Sequence, residues 1–167
     1  MNYTIWDIDN CLADDSWRIS FIDWRTTNLD ARYRPYHERC RHDVAHHVAR
    51  FQATTLLDGA QPIFFTARPE EVRLETHNWL RRELGVAVPI VRMRANQAFE
   101  PSVRLKAIML AALRMNMQPG DKIVHAFDDR EDICAMYREA NVPTTLLKIH
   151  DVCAYTNPLT QEKIHGS

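Results

Sequence analysis

The sequence predicts a three-layer α/β domain, with a central parallel sheet of about five strands, helices on both faces and a small cap or none. Three observations carry this. Short apolar runs alternate along the chain with segments of helical periodicity. Strands alternating with helices pack as a parallel sheet, because each crossover helix returns the chain to run in the same direction. Three of the runs stop at polar clusters, Asp7–Asn10, Thr66–Arg68 and Asp128–Asp129. That is where a doubly wound sheet places a ligand, outside the carboxyl ends of its strands.

The first run, Tyr3-Thr4-Ile5-Trp6, leads directly into Asp7-Ile8-Asp9-Asn10. If the chain stays extended there, Asp7 and Asp9 share a face. Two carboxylates at the end of a buried strand are costly without a cation between them, and a hard divalent ion such as Mg2+ with oxygen ligands supplies one. An Asp-rich turn closing a strand is the plainer alternative. From Asp14 to Tyr36, Trp17, Phe21, Trp24, Tyr33 and Tyr36 interleave with Arg18, Arg25, Arg32 and Arg34. The segment is too irregular for a strand and too long for a turn, so it reads as a lid or binding loop suited to an anionic, base-bearing ligand.

Asp43 is placed to cap a helix over Val44–Leu57, and His42, His46 and His47 read as surface residues for want of a further ligand at metal spacing. Gln61–Phe65 is the second strand. Pro69, Glu70 and Glu71 suit the first turn of a helix that runs to Leu84 and is closed by Gly85. Val86–Arg92 is the third strand. Pro101-Ser102 opens a helix to Met117, with Ile108, Leu110, Leu113 and Met117 as apolar positions and Arg104 and Lys106 in its first turns. Lys122–Phe127 is the fourth strand, Glu131–Ala140 a helix and Val142–Ile149 the fifth strand.

A chain of 167 residues reads as one domain over 1–167, with 13–42 as a small cap or lid insertion and 150–167 as a C-terminal tail. Its 46% hydrophobic and 26% charged content is that of a globular protein. A net charge of −1 argues against a broad basic surface for gripping duplex nucleic acid. Cys11, Cys40, Cys134 and Cys153 lack metal-binding or disulfide-framework spacing and read as thiols in a reducing compartment. With no leader and no membrane-length apolar run, a cytoplasmic location without membrane contact is expected. The oligomeric state is left open.

These groups suggest phosphoryl chemistry. Asp7, first off its strand, is the candidate nucleophile, forming an aspartyl-phosphate that water hydrolyses. Asp9 would protonate the leaving oxygen and later deprotonate the water. Mg2+ held by Asp7, Asp128 and the Asp9 backbone carbonyl would let one anion approach another. Thr66 offers a hydroxyl to a phosphoryl oxygen, Lys106 offsets transition-state charge, with nearby Arg104 as the alternative, and Arg68 has the planar fork that suits phosphate.

In this order, Asp7-Ile8-Asp9, Thr66, Lys106 and Asp128-Asp129 resemble the four motifs of the haloacid dehalogenase-like superfamily. Arg34-Pro35-Tyr36, Cys40, Asp43, Thr66-Ala67-Arg68 and Phe127-Asp128-Asp129-Arg130 are more narrowly similar to the 3′-phosphatase domains of phage polynucleotide kinase/phosphatases. The resemblance spans residues 3–148. It implies a Rossmann-like fold, a phosphate-binding Thr66-Ala67-Arg68, and Asp7, Asp9, Asp128 and Asp129 as ligands for Mg2+. It also implies a phosphomonoesterase whose partner is a phosphorylated nucleotide or a nucleic-acid 3′ end, a polynucleotide 3′-phosphatase first. A nucleotidase on free mononucleotides, a non-catalytic nucleotide-binding module and a phosphoryl transfer to another acceptor are the alternatives. Asn10-Cys11 stand where the superfamily has Gly followed by Thr or Val, and Asn is among the few residues that tolerate the left-handed backbone such a turn uses. No GxxxxGK[ST] loop is present, so the kinase half of those bifunctional enzymes is missing from the chain.

Overall fold

The computed structural model describes residues 1–47 and 59–151. Its centre is β1 (Asn2–Trp6), flanked by β4 (Ala60–Pro69) and β6 (Lys122–Asp128), with β5 (Ile90–Arg94) and β7 (Thr144–Leu146) outermost. The order is β5-β4-β1-β6-β7 and every neighbouring pair is parallel. The chain reverses its direction of travel across the sheet at β1, so the strand carrying Asp7 lies at the switch point.

Alternation along the three central strands divides the core in two. Trp6, Phe64 and Phe127 face one side and pack with Trp79 and Leu80 of α2 (Arg73–Leu84). Ile5, Ile63, Phe65 and Ala126 face the other, against Leu105, Met109 and Leu113 of α3 (Ser102–Met115) and Ile133 and Tyr137 of α4 (Glu131–Glu139). These strands are buried on both faces, which is why they read as continuous apolar runs. Gly85 ends α2 in the left-handed conformation, φ +68°, at the position the sequence assigned to it.

Several elements differ from the sequence reading. Thr66, Ala67 and Arg68 belong to β4 itself, which continues to Pro69 across a register shift against β5, and Glu70–Val72 is a 3-10 turn before α2. β5 begins at Ile90, since Pro89 has no N–H for the ladder. α3 ends at Met115, and Ile108 is exposed. Asp43 does not cap a helix: Val44–Ala45 is a short strand, β3, antiparallel to β2 (Ala13–Asp14). Residues 48–58, which include most of the expected 44–57 helix, and the tail from 152 with Cys153 lie outside the described residues.

Between β2 and β3 the chain makes a 3-10 helix, Ser16–Phe21, and a helix α1 (Leu29–His37) that the sequence reading missed. Asn28 caps α1, its side chain accepting the Ala31 N–H at 3.0 Å. Pro35 inside the helix hid it, because proline removes a helical bond. Ile22, Tyr33 and Tyr36 give this excursion its own small apolar cluster. Cys11, Cys40 and Cys134 are buried and unbridged. Among the described residues no helix is long and apolar enough to cross a membrane.

Candidate active site

Asp7 is the first residue past β1, and its N–H donates to the Phe127 carbonyl at 2.9 Å, holding it level with the end of β6. It follows Ile5 by two residues, as Asp128 follows Ala126, so both acids project on the α3 side. Lys106 rises from α3 between them. Its Nζ lies 2.7 Å from Asp7 Oδ1 and 2.7 Å from Asp128 Oδ2. All three side chains are buried, Asp128 completely. Arg104 is exposed, so of the two candidates in the first turns of α3 Lys106 is the one in the site. A buried ammonium between two carboxylates stays charged; its pKa is pushed well up by Asp128 and then Asp7, against the opposing effect of burial.

Carboxylate oxygens of Asp7, Asp128 and Asp129 lie within 4.8 Å of one another. Three acids facing one ammonium leave an excess of negative charge in a desolvated place. Burial, ahead of the neighbouring charges, raises the Asp128 carboxyl to about 7 and drives Asp129 well up. Three hard oxygen donors with surplus negative charge fit a divalent cation of the Mg2+ type.

Asp9 departs from the sequence reading. It is not on the face of Asp7, and its carboxylate is not in the acid cluster. The strand stops at Trp6, and the chain turns tightly, with the Leu12 and Ala13 N–H groups both on the Ile8 carbonyl and Asn10 at φ +57°. The turn carries Asp9 to the α2 side, into two guanidiniums. Arg68 Nε bonds Asp9 Oδ1 at 3.0 Å and Oδ2 at 3.2 Å, and its terminal nitrogen bonds Asp9 Oδ1 at 2.5 Å. Arg18 donates to the same oxygen. Asp43 completes the set: Arg18 Nε reaches it at 2.8 Å and Arg68 at 2.9 Å. Although burial works against ionisation, the two guanidiniums hold the Asp9 carboxyl well below the usual range, whereas burial lifts Asp43 to about 6. Arg68 is thus occupied by Asp9, Asp43 and Thr76, with its face over Trp79, and is not an open phosphate clamp. Thr66 is buried between Phe65 and Ala67, its hydroxyl accepting the Arg68 N–H at 3.1 Å, and Ala67 lines a pocket beside Asp9.

The sequence gives neither Arg18 nor Asp43 a role beside Asp9. Arg18 was one of several arginines in an aromatic-rich loop, and Asp43 had a ready role as a helix cap. Asn10, by contrast, explains itself. Its left-handed backbone supplies the turn that Gly would, and its carboxamide does what Gly cannot. Nδ2 donates to Asp129 Oδ2 and to the His150 carbonyl, both at 3.1 Å, while Oδ1 accepts the Ile149 and His150 N–H groups.

Comparison with solved structures places the fold. Two structures of the Pnkp1/Rnl/Hen1 RNA repair complex contain chains matching this one with a TM-score of 0.64 and 16% identity over 90% of its length. This chain covers 43% and 47% of those two chains, less than half their length. A haloacid dehalogenase-like hydrolase from Streptococcus pneumoniae matches with a TM-score of 0.57 and 9% identity, over 85% of this chain and 82% of its own. A predicted phosphatase from Clostridium acetobutylicum matches at 0.56 and 14%, over 86% and 82%. At such identities the likeness establishes the fold, which is haloacid dehalogenase-like. No family model matches the chain, and no curated protein matches it in sequence.

Proposed function

We propose that this protein is a phosphomonoesterase that hydrolyses nucleotidyl phosphates through a phosphorylated Asp7, with a polynucleotide 3′ end as the first candidate substrate. The observation that carries the reading is Lys106 bridging Asp7 and Asp128 beside Asp129, at the carboxyl end of the switch-point strand. Structural likeness to chains of an RNA repair complex supports the nucleic-acid substrate, and the modest charge of the chain keeps a mononucleotidase as the second reading.

In this scheme Asp7 attacks phosphorus and the ester oxygen leaves, transferring the phosphoryl group to the carboxylate; water then cleaves the acyl phosphate and restores Asp7. Lys106 keeps Asp7 oriented and offsets the charge that grows on the phosphoryl oxygens. Asp7, Asp128 and Asp129 would hold Mg2+, which when bound neutralises phosphoryl charge. Asp9, gripped by Arg18 and Arg68, is ionised and can accept a hydrogen bond from the attacking water and orient it in the second step, while the two guanidiniums keep its basicity low. For the first step it has no proton of its own. The proton reaching the leaving oxygen then arrives with the substrate, as the monoanion of the ester, and moves to that oxygen as the P–O bond breaks.

The test compares a 3′-phosphorylated oligonucleotide, nucleoside monophosphates and an aryl phosphate, each with Mg2+ and with chelator. Hydrolysis of the oligonucleotide or the mononucleotides that disappears in Asp7→Asn supports the reading. Full aryl phosphatase activity in Asp7→Asn removes Asp7 as nucleophile, and cleavage of neither nucleotide class removes the nucleotide assignment.

A further inference from the structure

Beside Asp9 a pocket lies between α1, the end of β4 and the loop after β5. Tyr33, Tyr36 and Phe99 give it aromatic walls, and His37 stands among them. Phe99 is 45% exposed, more than an aromatic ring needs to be if its role is to fill the core. His37 has an enclosed Nδ1 with no hydrogen-bond partner among the described residues. Burial first, then the positive charge of Arg18, pushes that imidazole down to about 3, so it is neutral at ordinary pH. A buried polar atom without a partner is a cost that a ligand's polar edge can remove.

The charges around the pocket are informative. Arg34 is paired with Asp30. Arg94 is turned onto the carbonyl oxygens of Ala67, Ala98 and Glu100, the last at 2.6 Å, and onto the Ser102 hydroxyl. Asp30 and Glu71 add two carboxylates to the lining. A second phosphate entering here would meet acids and cations already bonded to protein. An uncharged ring system would meet aromatic faces and one polar atom in want of a partner. Every nucleobase has a π face and a hydrogen-bonding edge.

We infer that this pocket binds the leaving group of the ester and selects an uncharged, flat, ring-bearing one, a single terminal nucleoside packed against Phe99 with a polar edge on His37 Nδ1. The inference rests on the phosphatase reading and names the organic half of its substrate. It places any further phosphates of a polynucleotide outside the pocket, so one nucleoside carries the recognition.

Titration of adenosine and uridine into the protein, followed by NMR, tests the pocket without turnover. Phe99→Ala and His37→Leu are each expected to weaken binding about tenfold, the scale of a lost base–aromatic contact, and His37→Asn, which keeps a polar atom at the Nδ1 position, is expected to restore most of it. In steady-state kinetics Phe99→Ala should raise KM for a nucleoside monophosphate about tenfold and raise that for glycerol 2-phosphate, which has no ring to stack, far less. No nucleoside binding, binding that ignores these substitutions, or an equal effect on both substrates overturns the inference. If no phosphomonoester is hydrolysed at all, the catalytic reading falls, and the nucleoside titration still decides the pocket.

Discussion

Replacing Lys106 with methionine keeps most of the side-chain volume and removes the charge. Lys106 Nζ is 2.7 Å from both Asp7 and Asp128, and its side chain is 3% exposed. Removing one partner of a buried ion pair costs about 3–5 kcal/mol, because the other charge is left without compensation. Here two bonded carboxylates lose their partner and a third, Asp129, stands within 4.8 Å of them. For a chain of this size each kcal/mol is worth roughly 2–4 °C, so Lys106→Met should melt about 10 °C lower in chelator. A cation bound only by the folded state adds about 2.7 kcal/mol at a hundred times its dissociation constant. Mg2+ should therefore recover a large part of the loss, and raise the melting temperature of the variant more than that of the parent, whose ammonium competes with it. Activity should stay low in Mg2+, since the charge that helps the transition state is gone. Thermal melts of both proteins with chelator and with Mg2+ are the assay. A variant that melts with the parent in chelator, or a deficit that Mg2+ does not narrow, refutes this account of the acid cluster.

Other outcomes follow from the same geometry. Arg68→Lys keeps the charge but cannot bond both Asp9 oxygens and Asp43 at once, so kcat on a nucleotide substrate should fall by roughly tenfold to a hundredfold with a modest loss of stability; unchanged kcat would show that the Asp9 clamp is idle. If the first proton comes with the ester, kcat/KM for an alkyl phosphate should decline above about pH 6, where the second phosphate proton is lost, while an aryl phosphate with a good leaving group should decline less; parallel profiles would contradict this. His37 titrates near 6.5 unfolded and about 3 folded. Its contribution to stability is therefore present above pH 6.5 and is lost as pH falls towards 3, by at most about 1.4 kcal/mol per pH unit, less for the partial exposure of the ring. His37→Asn should flatten that part of the urea-melt pH profile.

Much of the fold was legible because its signals are local. The runs Tyr3–Trp6, Gln61–Phe65 and Lys122–Phe127 are buried on both faces, and Gly85 stops its helix by a backbone preference that neighbours do not alter. The acid cluster was legible for the same reason, since Asp7, Asp128 and Asp129 sit at the ends of strands whose sequence already reads as strand. What failed was whatever tertiary contact decides. Asp9 was placed with Asp7 by extending the strand rule two residues too far, past the point where the turn at Ile8–Ala13 and the pull of Arg18 and Arg68 take over. Asp43 satisfies every local requirement of a helix cap, yet it is buried against arginines 25 residues away in either direction along the chain. Arg68 was given an open fork because no sequence rule reveals that its nitrogens are already engaged.

The proposed catalytic groups stand on two separate foundations. Lys106 is seated on the Leu105, Met109 and Leu113 layer, and Arg68 on the layer of Trp79 and Val72, with the sheet as partition. Trimming a side chain in the first layer would loosen the anchor of Asp7, the proposed nucleophile, and spare Asp9, and trimming one in the second would do the reverse. If Asp7 and Asp9 act as proposed, phosphoryl capture and release of the acyl phosphate can therefore drift apart in rate through changes deep in the interior, without a single substitution at the rim.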